Sequence, residues 1–170
     1  MTEKEFLHRI SHGQEDILEQ LLTILSNAKL DYCIIGGLGV NAYVEPVVSL
    51  DLDIVIVADA IGVVIQAAEG IFTVERFPHS INLSSPKSDL RIQIQTDPRY
   101  QSFISRASVR NVMGYEMKVA SLPDILQGKI WAYSDETRRL SKRQKDLADI
   151  FRIIEAYPEL KNKLPESVKL

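Results

Sequence analysis

Asp51 and Asp53 stand one residue apart in Ser49-Leu50-Asp51-Leu52-Asp53-Ile54-Val55-Ile56-Val57, a largely apolar run rich in β-branched residues. The run reads as a buried strand, bounded by Pro46 and by Asp59. Side chains alternate across a strand, so both acids project from one face, about 6–7 Å apart along the chain. Two like charges so placed repel each other and lose hydration, which calls for a positive counterpart. A divalent cation meets that need, and carboxylate-only ligation favours a hard ion, magnesium or manganese.

The segment just upstream narrows the chemistry. Asp31-Tyr32-Cys33-Ile34-Ile35 is a short apolar strand, followed directly by Gly36-Gly37-Leu38-Gly39. Val40–Val44 then reads as helical, and Pro46 stops it. A strand that passes through glycines into a helix leaves unpaired backbone N–H groups at the positive end of the helix dipole, open to phosphate oxygens. Thirteen residues separate Gly37 from Asp51. A phosphate cradle and a metal-binding acid pair on consecutive strands together describe a metal-assisted phosphoryl or nucleotidyl transfer site.

Ile35-Gly36-Gly37, a short helix and Asp51-Leu52-Asp53-Ile54 resemble the signature of the DNA polymerase beta-like nucleotidyltransferase superfamily. Val119-Ala120-Ser121-Leu122-Pro123-Asp124, Lys129, Ala132 and Lys145-Asp146-x-x-Asp149-Ile150 are similar to the helical tail of its small bacterial branch, which includes toxin-type nucleotidyltransferases of abortive-infection systems. The resemblance implies an α/β (α+β) fold: a mixed, twisted sheet flanked by helices, with a helical C-terminal tail. It also implies transfer of a nucleoside monophosphate from Mg-NTP to an acceptor hydroxyl, on an RNA end, a protein or a small molecule. Asp51 and Asp53 would hold the metal, Gly36 and Gly37 the β- and γ-phosphates, with Ser49 in support. Lys129 would contact the triphosphate and Asp146 would orient basic side chains. A cognate toxin or antitoxin protein is an implied partner.

One departure stands out. The superfamily supplies a third carboxylate from a neighbouring strand. The matching strand here is Asp89-Leu90-Arg91-Ile92-Gln93-Ile94-Gln95, whose alternation places Gln93 where that acid is expected. Asp89 and Asp97 share the face but lie about 13 Å away along an ideal strand, within reach only through a bulge or another register.

The 170 residues are expected to form a single domain, with a core over about 28–120 and a helical tail over about 121–157. A hydrophobic share of 45% and a net charge of −3 fit a globular protein without a dominant nucleic-acid-coating surface. Cys33 is the one cysteine, which excludes an intramolecular disulfide. Neither a signal-peptide pattern nor a membrane-spanning apolar stretch is seen, so the cytoplasm is the expected location. Periodicity predicts a helix over 3–26, with Leu18, Leu21, Leu22 and Leu25 facing the core, and another over 60–68. Strands are predicted over 71–76, 79–83 and 89–95, with a strand pair over 109–120 turning near Met113-Gly114. Helices follow from a Ser121/Asp124 capping box and over 137–156, and the residues from Pro158 onward read as loosely held.

Other signals have plainer readings. His8 and His12 are one helical turn apart but lack a third ligand nearby, so they read as a polar helix face. Arg138, Arg139, Lys142, Arg143 and Lys145 are either a solvated face or a binding patch. Trp131 and Tyr133 read as packing residues. Gly37-x-Gly39-x-x-Ala42 with Asp59 matches a dinucleotide-binding fingerprint, which would make the chain an oxidoreductase, but Pro46 cuts its helix short. A further alternative is a nucleotide-binding or protein-interaction module that kept the fold and lost the chemistry.

Overall fold

The computed structural model describes residues 1–168. In chain order the helices are α1 (Glu3–Ile10), α2 (Ile17–Asn27), α3 (Gly36–Val40), α4 (Ile61–Ala68), α5 (Leu122–Ser134) and α6 (Leu140–Ala156). The strands are β1 (Tyr32–Ile35), β2 (Asp51–Ile56), β3 (Thr73–Phe77), β4 (Ser80–Ser85), β5 (Ser88–Gln95), β6 (Ser108–Val112) and β7 (Tyr115–Val119). They form one mixed sheet in the order β3-β4-β5-β2-β1-β7-β6. β2 runs parallel to β5 and antiparallel to β1, and β1 runs parallel to β7. The expected mixed sheet flanked by helices, with a helical C-terminal tail, is what the chain adopts.

Alternation decides which sheet face is covered. On β5, Leu90, Ile92 and Ile94 are buried, whereas Arg91, Gln93 and Gln95 on the opposite face reach solvent. Ile54 and Ile56 of β2, Ile81 and Leu83 of β4 and Val64 and Ile65 of α4 join one continuous apolar core. α2 packs on α4, while α3, α5 and α6 pack together beside β1 and β2. β6 and β7 form a tight hairpin whose turn residues, Met113 (φ 53°) and Gly114 (φ 86°), both adopt positive φ. That is the type I′ geometry, whose twist matches paired strands.

Three expectations are corrected here. The predicted N-terminal helix is two helices. His12 turns out of the helix at φ 51°, Gly13 N–H bonds back to the His8 carbonyl, and Asp16 caps α2 by accepting from Glu19 N–H. The helix predicted over Val40–Val44 instead starts within the glycines and ends at Val40. Residues 158–168 are anchored rather than loose, and 169–170 lie outside the described residues: Pro158–Lys163 forms a 3-10 helix, and Leu160 and Val168 are buried. The segment Pro98–Arg106, unassigned from sequence, is a 3-10 helix that seats Tyr100 and Phe103 against Trp131.

The antiparallel β1–β2 pairing also excludes the dinucleotide reading. That motif needs two parallel strands joined by a crossover helix, and α3 has five residues. Asp59 lies in a 3-10 turn rather than at the end of a parallel second strand.

Candidate active site

A cleft of about 450 Å³ opens where β2 and β5 meet α6. Its lining includes Gly37, Ser49, Asp51, Asp53, Lys129 and Asp146, so six of the seven residues singled out from the sequence share one cavity. Gly36, the seventh, borders an adjoining recess with Asp53, Gln93 and Lys129. A more open groove of about 920 Å³ between α2 and β7 contains none of the seven.

Local sequence explains each placement. Asp51 and Asp53 share a face of β2, next to Leu52, Ile54 and Ile56, which are fully buried. Ser49 Oγ accepts from Asp51 N–H at 3.3 Å and so fixes the entry into β2. Gly36 takes φ +69°, and a Cβ there would overlap the Asp53 carboxylate. Gly37 has ordinary helical geometry, with Ser49 Oγ and Asp149 Oδ2 each 3.8 Å from where its Cβ would be. Of the two, only Gly36 has a left-handed backbone. Its missing Cβ makes room for an acid rather than for a phosphate.

The Asp51 charge is not left bare. Arg91 stands directly across the β2–β5 register, and its Nε donates to Asp51 Oδ1 at 2.8 Å. Gln93 stands across from Asp53, as the alternation required. No bulge interrupts that pairing, so neither outlying acid enters the cleft. Asp89 is bound to His12 Nδ1 at 2.6 Å, and Asp97 caps the 3-10 helix while pairing with Arg99 at 2.9 Å. Among the described residues no group of three or more His, Cys, Asp or Glu side chains is arranged to hold a metal. The two-histidine spacing ends likewise in ordinary pairing, His8 with Asp16 and Tyr115.

Asp53 is half-buried and faces both the cleft and the adjoining recess. Burial pushes its carboxyl above the ordinary value, Lys129 opposes the shift and Asp51 adds to it. The far wall is an ion-pair lattice tying α5 to α6. Lys129 Nζ sits between Asp146 Oδ1 at 3.1 Å and Asp149 Oδ2 at 2.9 Å. Asp146, with 1% of its side chain exposed, also accepts from Arg138 Nε at 2.7 Å. Arg152 bonds Asp149 at 2.6 Å and the side chain of Asn41 behind α3. Burial works against the Lys129 ammonium, but Asp149 and Asp146 outweigh it and hold its pKa above the usual lysine value.

The basic cluster divides in two. Arg138, Lys142 and Lys145 line the cleft, whereas Arg143 turns away to the Tyr133 carbonyl. With Asp149 and Arg152, Lys142 and Lys145 follow steps of three, four and three, the spacing of one face of α6, and Arg138 joins them from the bend before that helix. That period was the available signal for Asp149 and Arg152. Nothing in the sequence announced Arg91 as the partner of Asp51, because the pair depends on strand register.

No family model matches the chain, and no curated protein matches it. Solved structures do. ANT(2″)-Ia in complex with adenylyl-2″-tobramycin is 16% identical, with 86% of this chain and 91% of that one covered at a TM-score of 0.63. The lincosamide antibiotic adenylyltransferase LnuA, lincomycin-bound, is 18% identical over 83% and 98% at 0.56. An antigenic nucleotidyltransferase-like protein from Paracoccidioides brasiliensis is 19% identical over 91% and 92% at 0.51. At these identities the likeness is one of fold, and the fold is the one that the glycine and Asp-x-Asp resemblance implied.

Proposed function

We propose that this chain transfers a nucleoside monophosphate from a metal-bound NTP to an acceptor hydroxyl. The supporting observation is that Asp51 and Asp53 open onto the same cleft as Lys129, Arg138, Lys142 and Lys145. Acids on one wall and cations on the other suit a metal-triphosphate, whose charges alternate in the same way. The donor set fits a hard divalent ion. Asp51 keeps Oδ2 outside its bond to Arg91, Asp53 adds a carboxylate, and Gln93 adds an amide oxygen across the register. Asp51 and Asp53 would hold magnesium or manganese, which would supply neutralisation of charge on the transferring phosphoryl oxygens.

The chain's own groups account for the rest. The acceptor oxygen bonds to the α-phosphorus, the bond from that phosphorus to the pyrophosphate oxygen breaks, and the hydroxyl proton passes to solvent. Lys142 and Lys145 contact the β- and γ-phosphates, with the backbone at Gly37 and the Ser49 hydroxyl beside them. Asp146 holds Lys129 and Arg138 extended toward the cleft. Gln93 is neutral and cannot remove the acceptor proton near neutral pH, so transfer is slow. A second reading, nucleotide binding without transfer, draws on Gln93 and on the Arg91 bond at Asp51.

The test measures melting temperature with magnesium and each NTP. A nucleotide at a hundred times its Kd should stabilise the fold by about 2.7 kcal/mol, and Asp51→Asn with Asp53→Asn should abolish that increment. A shift that survives the double substitution refutes the metal assignment. Labelled NTP incubated with cellular RNA and protein separates the two readings. Gln93→Asp should raise transfer, and its failure to yield any labelled acceptor leaves binding alone.

A further inference from the structure

Arg91 puts a positive charge on the wall of the cleft that carries the acids. Six basic side chains line the cleft, and five of them, Lys129, Arg138, Lys142, Lys145 and Arg152, come from α5, α6 and the bend between those helices. Arg91 is the sixth and comes from the sheet. It stands on β5 in register with Asp51 and donates from Nε to Asp51 Oδ1 at 2.8 Å. The pair is open to solvent, so its worth to stability is small and its position is the feature to explain.

The bond commits one of the two Asp51 oxygens. Two-ion sites set their metals about 3.5–4 Å apart, close enough to need a carboxylate that gives one oxygen to each. Here Oδ1 already faces a guanidinium, and the residue across from Asp53 is the neutral Gln93. Charge leads to the same count. Four carboxylates, Asp51, Asp53, Asp146 and Asp149, and six cations line the cleft, an excess of two positive charges. A triphosphate carries about four negative charges near neutral pH, so one divalent ion brings the filled cleft to balance. A second ion would restore the positive excess and would face the guanidinium on the same acid.

We infer that Arg91 stands in for a second metal ion, and that the cleft takes a single divalent cation with each nucleotide. The inference rests on the nucleotidyl-transfer reading and deepens it. Arg91 acts as a positioning residue: it holds Asp51 by Oδ1, leaves Oδ2 for the ion, and brings a fixed charge that needs no metal to supply it.

The experiment titrates manganese into the full chain and follows the electron paramagnetic resonance of the free ion. It is run with the protein alone and with an equimolar ATP analogue whose α,β bridge is a methylene group. For the protein alone, Arg91→Gln should tighten manganese roughly tenfold, because a like charge leaves the ligating acid. Arg91→Lys keeps that charge and should leave the affinity near its original value. With the analogue, the unaltered protein should hold one manganese per chain, and Arg91→Gln combined with Gln93→Asp should hold two. Two ions in the unaltered protein, an unchanged affinity in Arg91→Gln, or a single ion in the double variant each overturn the inference. A different result marks failure of the reading beneath it: manganese and the analogue together would give the unaltered protein no rise in melting temperature, and the inference would fall with that reading.

Discussion

Gly36 and Gly37 are neighbours with opposite tolerances. At Gly36 a methyl group would meet both a left-handed backbone and the Asp53 carboxylate. Gly36→Ala should therefore destabilise the fold by roughly 1–3 kcal/mol in a denaturant melt, and displace Asp53 with it. Gly37→Ala has room and helical geometry, so it should leave stability unchanged within about 0.5 kcal/mol or raise it slightly. Asp53 supplies a pH signature. Its folded carboxyl keeps a proton that the unfolded chain has already released above its ordinary value, so the native state binds more protons in that interval. Stability without metal should fall as pH rises from about 3.8 through the raised value, and saturating magnesium should remove the decline. Melts across that range in EDTA and in magnesium check both halves. Gly-Gly and Asp-x-Asp were legible because a short segment sets their geometry. Arg91 was not, because it is forty residues from Asp51 and meets it only through parallel pairing.

Among the elements, α5 and α6 depend on one lysine. Lys129 is nearly enclosed and answers two carboxylates from α6, so Lys129→Met leaves Asp146 and Asp149 each with a single arginine. Removing one partner of a buried pair costs more than the pair itself contributes. A loss of about 3 kcal/mol in urea unfolding is expected. Lys129→Arg should recover only part of it, since a planar fork does not fit between two carboxylates held for an ammonium. The elements themselves were readable where periodicity was long, as in α6 and β5. The N-terminal helix was misjudged because its apolar spacing carries on past Gly13, while His12 and the Asp16 cap break the backbone locally. The 3-10 segment at Pro98–Arg106 has no period that a helix or strand template would detect.

Across the whole molecule, the C-terminal segment closes the core beside α6. Truncation after Ala156 would uncover the surface now sealed by Leu160 and Val168. At about 1.5–3 kcal/mol for each fully buried aliphatic side chain, a loss of several kcal/mol is expected, read as a lower melting temperature with the sheet intact by circular dichroism. The sequence showed a polar tail here because two anchors in a dozen residues make no pattern. Fold class was legible at this scale, since strands and helices alternate in an order that a mixed sheet can satisfy. Strand order was not, because β2 finds β5 and β1 finds β7 only across long stretches of chain.

The cationic wall supplied by α6 and the bend before it sets a condition on synthesis. A chain emerging from the ribosome could pair all seven strands once Val119 is free, with both acids already in place. It would still lack Arg138, Lys142 and Lys145, and Lys129 would have neither of its carboxylate partners. The nucleotide proposed for this cleft could therefore not steady the nascent sheet: its seat is complete only once synthesis has passed Asp149.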